Sequence, residues 1–342
     1  MPSTIWASQP MSIPRASKPR RSTVAHASCR ARADPSIRPG RRVRIACAAM
    51  ERDPACGPND SVIELADGRQ LAYATFGDPS GHPVINCHGG LVSRNDCALA
   101  DEHARELGLW IISPDRPGVG SSDRLPGHDI VSWADRDLRQ LVDVLSLDRF
   151  SVMGWSAGGQ RALAAAHVLG DRIDRVAVVA GCLPLDDPAS RALLSRSDRR
   201  LLRWTDSARS TAKAYFRVTN LLANRAPERL ARLSARDLEG TERGVLAQHS
   251  AWFAHVIAQG TRDPNGQVDD YRAFGAPWRF QPEDIRVPVV VHHGTDDRMV
   301  PLIWGEALSQ LIPDASLRTY PGEGHLVAVT QARNILASLR AT

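Results

Sequence analysis

The sequence predicts an α/β protein in which helices flank a mostly parallel central sheet. In residues 61–183 and 281–342, short apolar runs alternate with segments whose apolar residues recur at helical spacing. Strands that alternate with helices in this way form a parallel sheet through crossover connections. Residues 184–280, in contrast, contain helix-like segments and no convincing strand. We therefore expect an α/β core that is interrupted by a helical insertion, residues 184–280.

The elements of the core are predicted in order along the chain. A hairpin at 61–78 is indicated by the apolar–polar alternation on both sides of Asp67-Gly68, which is a common turn pair. The run "PVINC" at 83–87 is typical of a buried strand. The later elements are a helix at 97–108, a strand at 109–114, a helix at 129–147, a strand at 150–154, a helix at 157–169, and strands at 175–181, 287–294 and 315–322 with a helix at 303–312 between the last two. The helical insertion has the position of a lid over the sheet.

Composition excludes several classes of partner. The net charge of +5 comes from residues 1–50, which hold ten basic residues and one acid, so the rest of the chain carries −4 and indicates no nucleic-acid partner. No apolar run approaches the roughly 18–20 residues of a membrane span. The six cysteines form no C-x-x-C pair and no Cys/His metal spacing, so we expect no metal site.

Residues 1–50 are rich in Arg, Ser, Pro and Ala and are predicted to be a disordered extension. Two interpretations stay open. The segment has the Arg- and Ser-rich, acid-poor composition of a transit peptide, with "IACAA" as a processing site, and the protein would then reach an organelle such as the chloroplast. Alternatively it is an over-extended start, and Met50 begins a cytoplasmic protein. We favour the second interpretation, because arginine and alanine dominate in the way that a GC-rich coding region produces.

The segment "GWSAGG" contains the pattern G-x-S-x-G, with Ser156 between Gly154 and Gly158. A nucleophilic serine must project from a sharp strand-to-helix turn, and the crowded backbone there requires glycine two residues to either side. The strand predicted before Ser156 and the helix predicted after it provide this context. The alternative is a glycine-rich turn in which the serine caps the helix.

A serine nucleophile needs an imidazole that takes its proton and an acid that orients the imidazole. In this arrangement the acid and then the histidine follow the serine along the chain. His325, in the glycine-rich loop after the last strand, is the predicted base. Asp297 is the predicted acid, since it occupies the aspartate of the pattern "HGxxDxxVP". Asp296 beside it stays an alternative, and Asp186 or Asp187 after the earlier strand is a minor one.

The oxyanion that forms in acyl transfer needs two backbone N–H donors. The residue after the nucleophile, Ala157, supplies one of them. The loop that follows "PVINC" reads "HGG" and brings the N–H of Gly90 to the same place. His88 of this loop is expected to support the loop and not to act as a base.

These parts together resemble the α/β-hydrolase superfamily over residues 61–340. The resemblance is carried by "CHGG" (87–90), "SPDRPGVGSSD" (113–123), "GWSAGG" (154–159), "HHGTDDRMVP" (292–301) and "PGEGH" (321–325), in the family's order. It implies the α/β-hydrolase fold, Ser156 as nucleophile, Asp297 as acid, His325 as base, and Gly90 with Ala157 as the oxyanion hole. "HGGLVSR" lacks the proline that many relatives have after H-G-x, which argues against a prolyl aminopeptidase. A serine nucleophile where some relatives have aspartate argues against epoxide hydrolase or dehalogenase chemistry.

The function that follows is a serine hydrolase that cleaves a small or medium carboxylic ester, a small-molecule substrate, through an acyl-enzyme. No cofactor is expected, because the serine, the histidine and water carry out this chemistry. A cofactor-free lyase, a perhydrolase-like enzyme or a C–C bond hydrolase would use the same triad. A non-catalytic ligand receptor on a hydrolase fold is an alternative from another class. The 16 basic residues of the helical insertion against 11 acids raise the hypothesis of an anionic substrate. Four aromatic residues are candidates for pocket lining: Trp204, Trp252, Phe253 and Trp278.

Overall fold

The computed structural model describes residues 59–238 and 240–340, so the predictions for residues 1–50 lie outside the described residues. Eight strands form its sheet: β1 (Asp60–Glu64), β2 (Gln70–Gly77), β3 (His82–Cys87), β4 (Leu109–Pro114), β5 (Phe150–Trp155), β6 (Ile173–Val179), β7 (Val289–Gly294) and β8 (Ala315–Tyr320). Their order across the sheet is β1-β2-β4-β3-β5-β6-β7-β8. Only the pairings β1/β2 and β2/β4 are antiparallel. The predicted fold class and the predicted hairpin are both confirmed.

Alternating side chains of the strands enter two separate cores. In β4, Ile112 lies in one core and Ile111 in the other, and in β5 Val152 and Met153 divide in the same way. The period of two residues that strand geometry imposes thus buries both faces of the sheet. Among the described residues, seven α-helices belong to the α/β core: α1 (Asp101–Glu106), α2 (Ile130–Ser132), α3 (Arg139–Val144), α4 (Ala157–Leu169), α12 (Leu302–Leu311), α13 (Val327–Thr330) and α14 (Ala332–Ala337).

Two of the predicted core helices differ in detail from the sequence pattern. The helix predicted at 129–147 is α2 and α3 joined by a π-helical segment, Trp133–Leu138. The helix predicted at 97–108 is a short 3₁₀ turn, Ala98–Ala100, followed by α1. Helix termini are the least reliable part of a pattern-based prediction, because capping geometry sets them and periodicity does not.

The strand predicted at 175–181 runs two residues earlier, as β6. Ile173 pairs with Phe150 at its start. At its end, Ala180 has a φ of 46°, which takes the chain out of the extended conformation. Asp174, which precedes the predicted strand, lies within β6 at the end of the sheet. There Arg149 Nε donates to Asp174 Oδ1 at 2.6 Å.

Between β6 and β7 the described chain is helical. This segment contains α5 (Pro188–Leu193), α6 (Arg196–Ser207), α7 (Arg209–Arg225), α8 (Pro227–Ser234), α9 (Thr241–Gln248), α10 (Ser250–Gly260) and α11 (Pro264–Gly275). Helices α7, α8 and α10 pack on one another around Ala223, Leu230 and Ala254, whereas α6 and α11 pack against the core around Leu202 and Phe274. No helix in the described ranges combines the length and the apolarity that a membrane crossing requires.

Candidate active site

Ser156 lies at a strained turn between β5 and α4. Its φ of 55° and ψ of −120° are unusual for a residue with a side chain. A Cβ on Gly154 would overlap the carbonyl oxygen of Gly158, and a Cβ on Gly158 would overlap that of Cys87, so both glycines are required. The N–H of Ser156 donates to the carbonyl of Val179 at 2.8 Å, which holds the turn against β6. The turn therefore presents the serine hydroxyl at the carboxyl end of the sheet.

His325 and Asp297 meet across two loops. His325 follows β8, Asp297 follows β7, and the His325 Nδ1 and Asp297 Oδ2 atoms are 2.8 Å apart. The other carboxylate oxygen of Asp297 accepts from the N–H groups of Met299 and Val300, each at 2.8 Å. These bonds fix the carboxylate and leave one oxygen for the imidazole.

The alternative acids lie elsewhere. Asp296 is exposed, and its carboxylate accepts from the hydroxyl of Thr295 at 2.9 Å. Asp187 is the N-cap of α5, where it accepts from the N–H groups of Ala189 and Ser190. Of the aspartates considered from the sequence, the structure brings Asp297 against His325.

The pKa of His325 reflects two opposing influences. Burial of the ring disfavours the imidazolium, but the carboxylate of Asp297 outweighs burial and the pKa of His325 is raised above its ordinary value of 6.5. The carboxylates of Asp198 and Glu242 raise it further. Burial would raise the pKa of Asp297, yet the pairing with His325 holds the pKa of this carboxyl below its ordinary value. The pair thus stabilises a positive charge on the imidazole.

Ser156 and His325 line one cavity of about 360 Å³. Most of its wall is apolar and comes from both the core and the helical insertion. Asp198 of α6 is the one acidic residue in the lining, and neither arginine nor lysine occurs there among the described residues. Within the described chain the Ser156 hydroxyl makes no hydrogen bond, so it is open to the imidazole and to a ligand.

The two predicted oxyanion donors, Gly90 and Ala157, also line this cavity. Ala157 is the first residue of α4, and the N–H of a first helical residue has no carbonyl one turn earlier to bond. The preceding N–H of Gly89 donates to the carboxylate of Asp96 at 2.9 Å, which fixes the loop. The structure therefore brings four of the five predicted site residues, Gly90, Ser156, Ala157 and His325, to one cavity. The fifth, Asp297, does not line the cavity but contacts Nδ1 of His325.

A buried charge cluster lies behind this loop. Arg116 donates to both carboxylate oxygens of Asp270, at 2.7 and 2.8 Å, and Arg161 donates to Asp270 Oδ1 at 2.6 Å. Arg116 also donates to the carbonyl oxygens of His88 and Gly89. The cluster ties α11 of the insertion to the loop that carries Gly90. His88, which is fully buried and bonded to Arg116, supports the loop as expected.

Glu242 is a residue at this site that the sequence did not reveal. It is 3% exposed, lies on α9, and its carboxylate accepts from the N–H of Leu326 at 2.5 Å. A Cβ on Gly324 would overlap this carboxylate, so glycine is required before His325. The loop that carries His325 (the histidine loop) is also held by Trp155, whose indole N–H donates to the carbonyl of His325 at 2.9 Å. No local pattern signals Glu242, because its partner is 84 residues away.

The hypotheses on the helical insertion are only partly supported. No arginine of the described insertion lines the cavity, so its basic composition is no argument for an anionic substrate. Of the four candidate aromatic residues, Phe253 lines the cavity and the three tryptophans do not. No group of His, Cys, Asp and Glu within the described residues has the arrangement of a metal site.

A mostly parallel eight-stranded sheet with a serine at a strand–helix turn, a histidine after the last strand and an acid after the preceding one defines the α/β-hydrolase class. The family model described as alpha/beta hydrolase fold matches residues 82–332. The chain belongs to this family.

Relatives with several activities resemble the chain. A non-heme chloroperoxidase of Streptomyces lividans is 27% identical over 268 residues, which cover 77% of this chain and 92% of the relative. A bifunctional esterase/perhydrolase of Acinetobacter calcoaceticus is 26% identical, with 82% and 98% covered. A solved thermophilic esterase from Thermogutta terrifontis with malate bound superposes with a TM-score of 0.61 at 22% identity, covering 82% of this chain and 96% of that one. At this identity the structural likeness concerns the fold.

Proposed function

We propose that the protein is a serine hydrolase that cleaves a small or medium carboxylic ester through an acyl-enzyme. The observation that carries the proposal is the hydrogen bond between Asp297 and His325, whose imidazole lines the same cavity as the elbow residue Ser156. In this assignment Ser156 is the nucleophile, His325 the base and Asp297 the acid. Gly90 and Ala157 donate to the oxyanion.

The reaction proceeds in two acyl-transfer steps. Ser156 Oγ attacks the ester carbonyl while His325 takes its proton, and the imidazolium then gives this proton to the departing alcohol. A water molecule attacks the acyl-enzyme in the same way and releases the carboxylic acid and free Ser156. Asp297 keeps the proton of His325 on Nδ1, so that Nε2 faces the serine as an acceptor. The residues thus suffice for the cycle as we propose it.

The cavity supports a neutral ester with an apolar acyl or alcohol group. Its volume of about 360 Å³ is within the usual range for small-molecule sites, and its wall is mostly apolar. The carboxylate of Asp198 would repel an anionic substrate group inside it. We assign the helical insertion, residues 184–280, as the lid that closes this cavity over the substrate.

Covalent labelling tests the proposal directly. A fluorophosphonate reacts with an activated serine, which displaces its fluoride, so wild-type protein is expected to be labelled at one site and Ser156→Ala not at all. Hydrolysis of p-nitrophenyl acetate or butyrate should be lost in the same variant. Ser197→Ala, which removes another serine of the cavity lining, is the matched control and should keep both labelling and turnover. Labelling of Ser156→Ala at the wild-type rate would refute the assignment.

Asp198→Asn is expected to change both the pH profile and the charge preference. Because the Asp198 charge raises the pKa of His325, its removal lowers that pKa, and the acidic limb of kcat/KM moves to lower pH. In the wild type this limb should lie above pH 6.5. The same substitution should reduce the discrimination against a carboxylated ester, relative to a neutral ester of equal size, by about 3- to 10-fold.

The control for Asp198→Asn is Asp206→Asn. Asp206 lies on the same helix, is exposed, pairs with Arg191 at 3.2 Å, and does not line the cavity. Asp206→Asn should leave unchanged both the pH of the acidic limb of kcat/KM and the discrimination between neutral and carboxylated esters. If the two variants shifted the pH profile equally, the net charge of the lid would explain the shift, and Asp198 would have no specific role.

Perhydrolysis is a second candidate activity of the same site. Two of the relatives are named a chloroperoxidase and an esterase/perhydrolase. Hydrogen peroxide in place of water would attack the acyl-enzyme and release a peracid and free Ser156. Peracid formation from acetate and peroxide, measured by oxidation of bromide, distinguishes this activity from hydrolysis alone. Its absence in an enzyme that hydrolyses esters would restrict the function to hydrolysis.

A further inference from the structure

Tyr271 brings a hydroxyl group from the lid to the oxyanion hole. It lies on α11, is 4% exposed, and lines the cavity that contains Ser156. The position that a Cβ on Gly90 would occupy is 3.4 Å from Tyr271 Oη and 3.6 Å from the Cβ of Ala157. The hydroxyl is therefore a close neighbour of Gly90, on the side of Gly90 that also faces Ala157, and the N–H groups of these two residues are the ones we assign to the oxyanion.

The ring is held firmly in this place. It packs against Phe216 and Phe274, with ring centroids 5.8 and 6.0 Å away. The residue before it, Asp270, is fixed by the buried guanidinium groups of Arg116 and Arg161. A donor that is positioned before the substrate binds loses little freedom on binding, which is what electrostatic stabilisation of a transition state requires.

The hydroxyl itself has no partner in the described part of the chain. Neither a hydrogen bond nor an ion pair links Tyr271 Oη to residues 59–238 or 240–340. Buried tyrosine hydroxyls usually have a partner, so one that faces a ligand cavity without one indicates that the ligand provides it. Burial, reinforced by the charge of Asp198, raises the pKa of Tyr271 well above its ordinary value. The phenol thus stays protonated and acts as a donor.

We propose that Tyr271 is a catalytic residue that donates a third hydrogen bond, from its hydroxyl, to the oxyanion beside the N–H groups of Gly90 and Ala157. The inference rests on the proposed acyl-transfer function. When Ser156 attacks, the electron pair of the carbonyl π bond moves to the carbonyl oxygen, and the O–H of Tyr271 stabilises this charge without giving up its proton. When the tetrahedral intermediate collapses, the electron pair re-forms the carbonyl π bond, and the hydrogen bond from Tyr271 weakens again. The lid would in this way complete the oxyanion hole when it is closed.

Tyr271→Phe removes the donor and keeps the ring. Loss of one oxyanion donor lowers the rate by about 10²–10³-fold where it is one of two, so with two backbone donors left we expect kcat/KM to fall by about 10- to 100-fold. The fall should lie in kcat, with KM little changed, because the bond strengthens in the transition state. The affinity for an alkyl trifluoromethyl ketone, which forms a tetrahedral adduct on Ser156, should fall by the same factor. The affinity for the planar product acid should not.

Tyr320→Phe is the matched control. Tyr320 lies on β8, does not line the cavity, and its hydroxyl is 2.8 Å from His292 Nδ1, so loss of this hydroxyl should leave both kcat/KM and ketone affinity within about twofold. The melting temperature is measured for both variants, so that a fall in kcat in a fully folded Tyr271→Phe protein reports on the chemistry.

Two results would overturn the inference. Unchanged kcat/KM in Tyr271→Phe would mean that the hydroxyl does not contact the oxyanion. A rise in KM with kcat intact, and equal losses for ketone and product acid, would assign Tyr271 to ground-state binding instead. Ser156→Ala separates this inference from the proposed function. If that variant loses all turnover while Tyr271→Phe is silent, only the inference on Tyr271 fails. If Ser156→Ala keeps full turnover, the proposed function fails as well.

Discussion

Asp297→Asn is expected to lower kcat by about 10⁴-fold without loss of the fold. The asparagine Oδ1 keeps the bonds that Asp297 accepts from Met299 and Val300, so the loop retains its geometry. Its amide nitrogen, however, then faces Nδ1 of His325 and donates to it. The proton of the neutral imidazole moves to Nε2, and the ring can no longer accept the proton of Ser156.

The measurement is kcat for ester hydrolysis together with the melting temperature. Asp296→Asn is the matched control, because it makes the same change one residue earlier on an exposed side chain that binds Thr295. It should retain nearly full activity. If Asp296→Asn were inactive and Asp297→Asn active, the acid would have been assigned to the wrong residue of the pair.

The elements of the core could be predicted because their signals are local. The α4 helix has the bounds that the pattern indicates, 157–169, and Gly154 and Gly158 mark the turn before it by the absence of side chains. The parallel pairing of strands β3 to β8 follows from the same alternation, because strands joined through helices run parallel. In the sequence, only the pattern "HGxxDxxVP" distinguishes Asp297 from Asp296 as the predicted acid. In the structure the two N–H groups that bind Asp297 make the physical difference between them.

The contributions of the helical insertion could not be predicted, because they depend on contacts between distant parts of the chain. Arg116 and Asp270 are 154 residues apart, and Glu242 reaches the histidine loop across 84 residues. Neither pair leaves a periodic or motif-like trace in the sequence. Composition was moreover misleading here, because the basic residues suggested an anionic substrate whereas the cavity contains the acid Asp198 and no arginine among the described residues. Which side chains of an amphipathic helix face a cavity is decided by how the helix packs.

Asp270→Asn is expected to destabilise the protein by about 3–5 kcal/mol. Asp270 is 2% exposed and offsets the charges of Arg116 and Arg161, which are each 1% exposed. Removing the carboxylate charge leaves two buried like charges side by side without a counter-charge. Burial and the neighbouring Arg116 already lower the pKa of Arg161 to about 10 with the carboxylate present, which shows how poorly this place tolerates a second cation.

Urea unfolding at neutral pH measures the loss, and Asp269→Asn is its control. Asp269 is the preceding residue and pairs with Arg124, which is 38% exposed, so its loss should cost less than about 1 kcal/mol. Equal losses of unfolding free energy in Asp270→Asn and Asp269→Asn would contradict a special contribution of the buried cluster to stability.

The pH dependence gives an independent check on Asp270. Burial acts to raise the pKa of Asp270, but the two guanidinium groups dominate and hold it far below its ordinary value of 3.8. A depressed carboxyl pKa stabilises the folded state above the unfolded-state pKa, and this contribution is lost as the pH falls below that value. The difference in unfolding free energy between the wild type and Asp270→Asn should therefore be constant from pH 5 to 8 and should shrink below about pH 4.

Because Arg116 also donates to the carbonyls of His88 and Gly89, the variant should lose kcat as well, even where it remains folded. A variant that was destabilised at neutral pH but kept the wild-type kcat would show that the cluster anchors α11 without shaping the loop that carries Gly90.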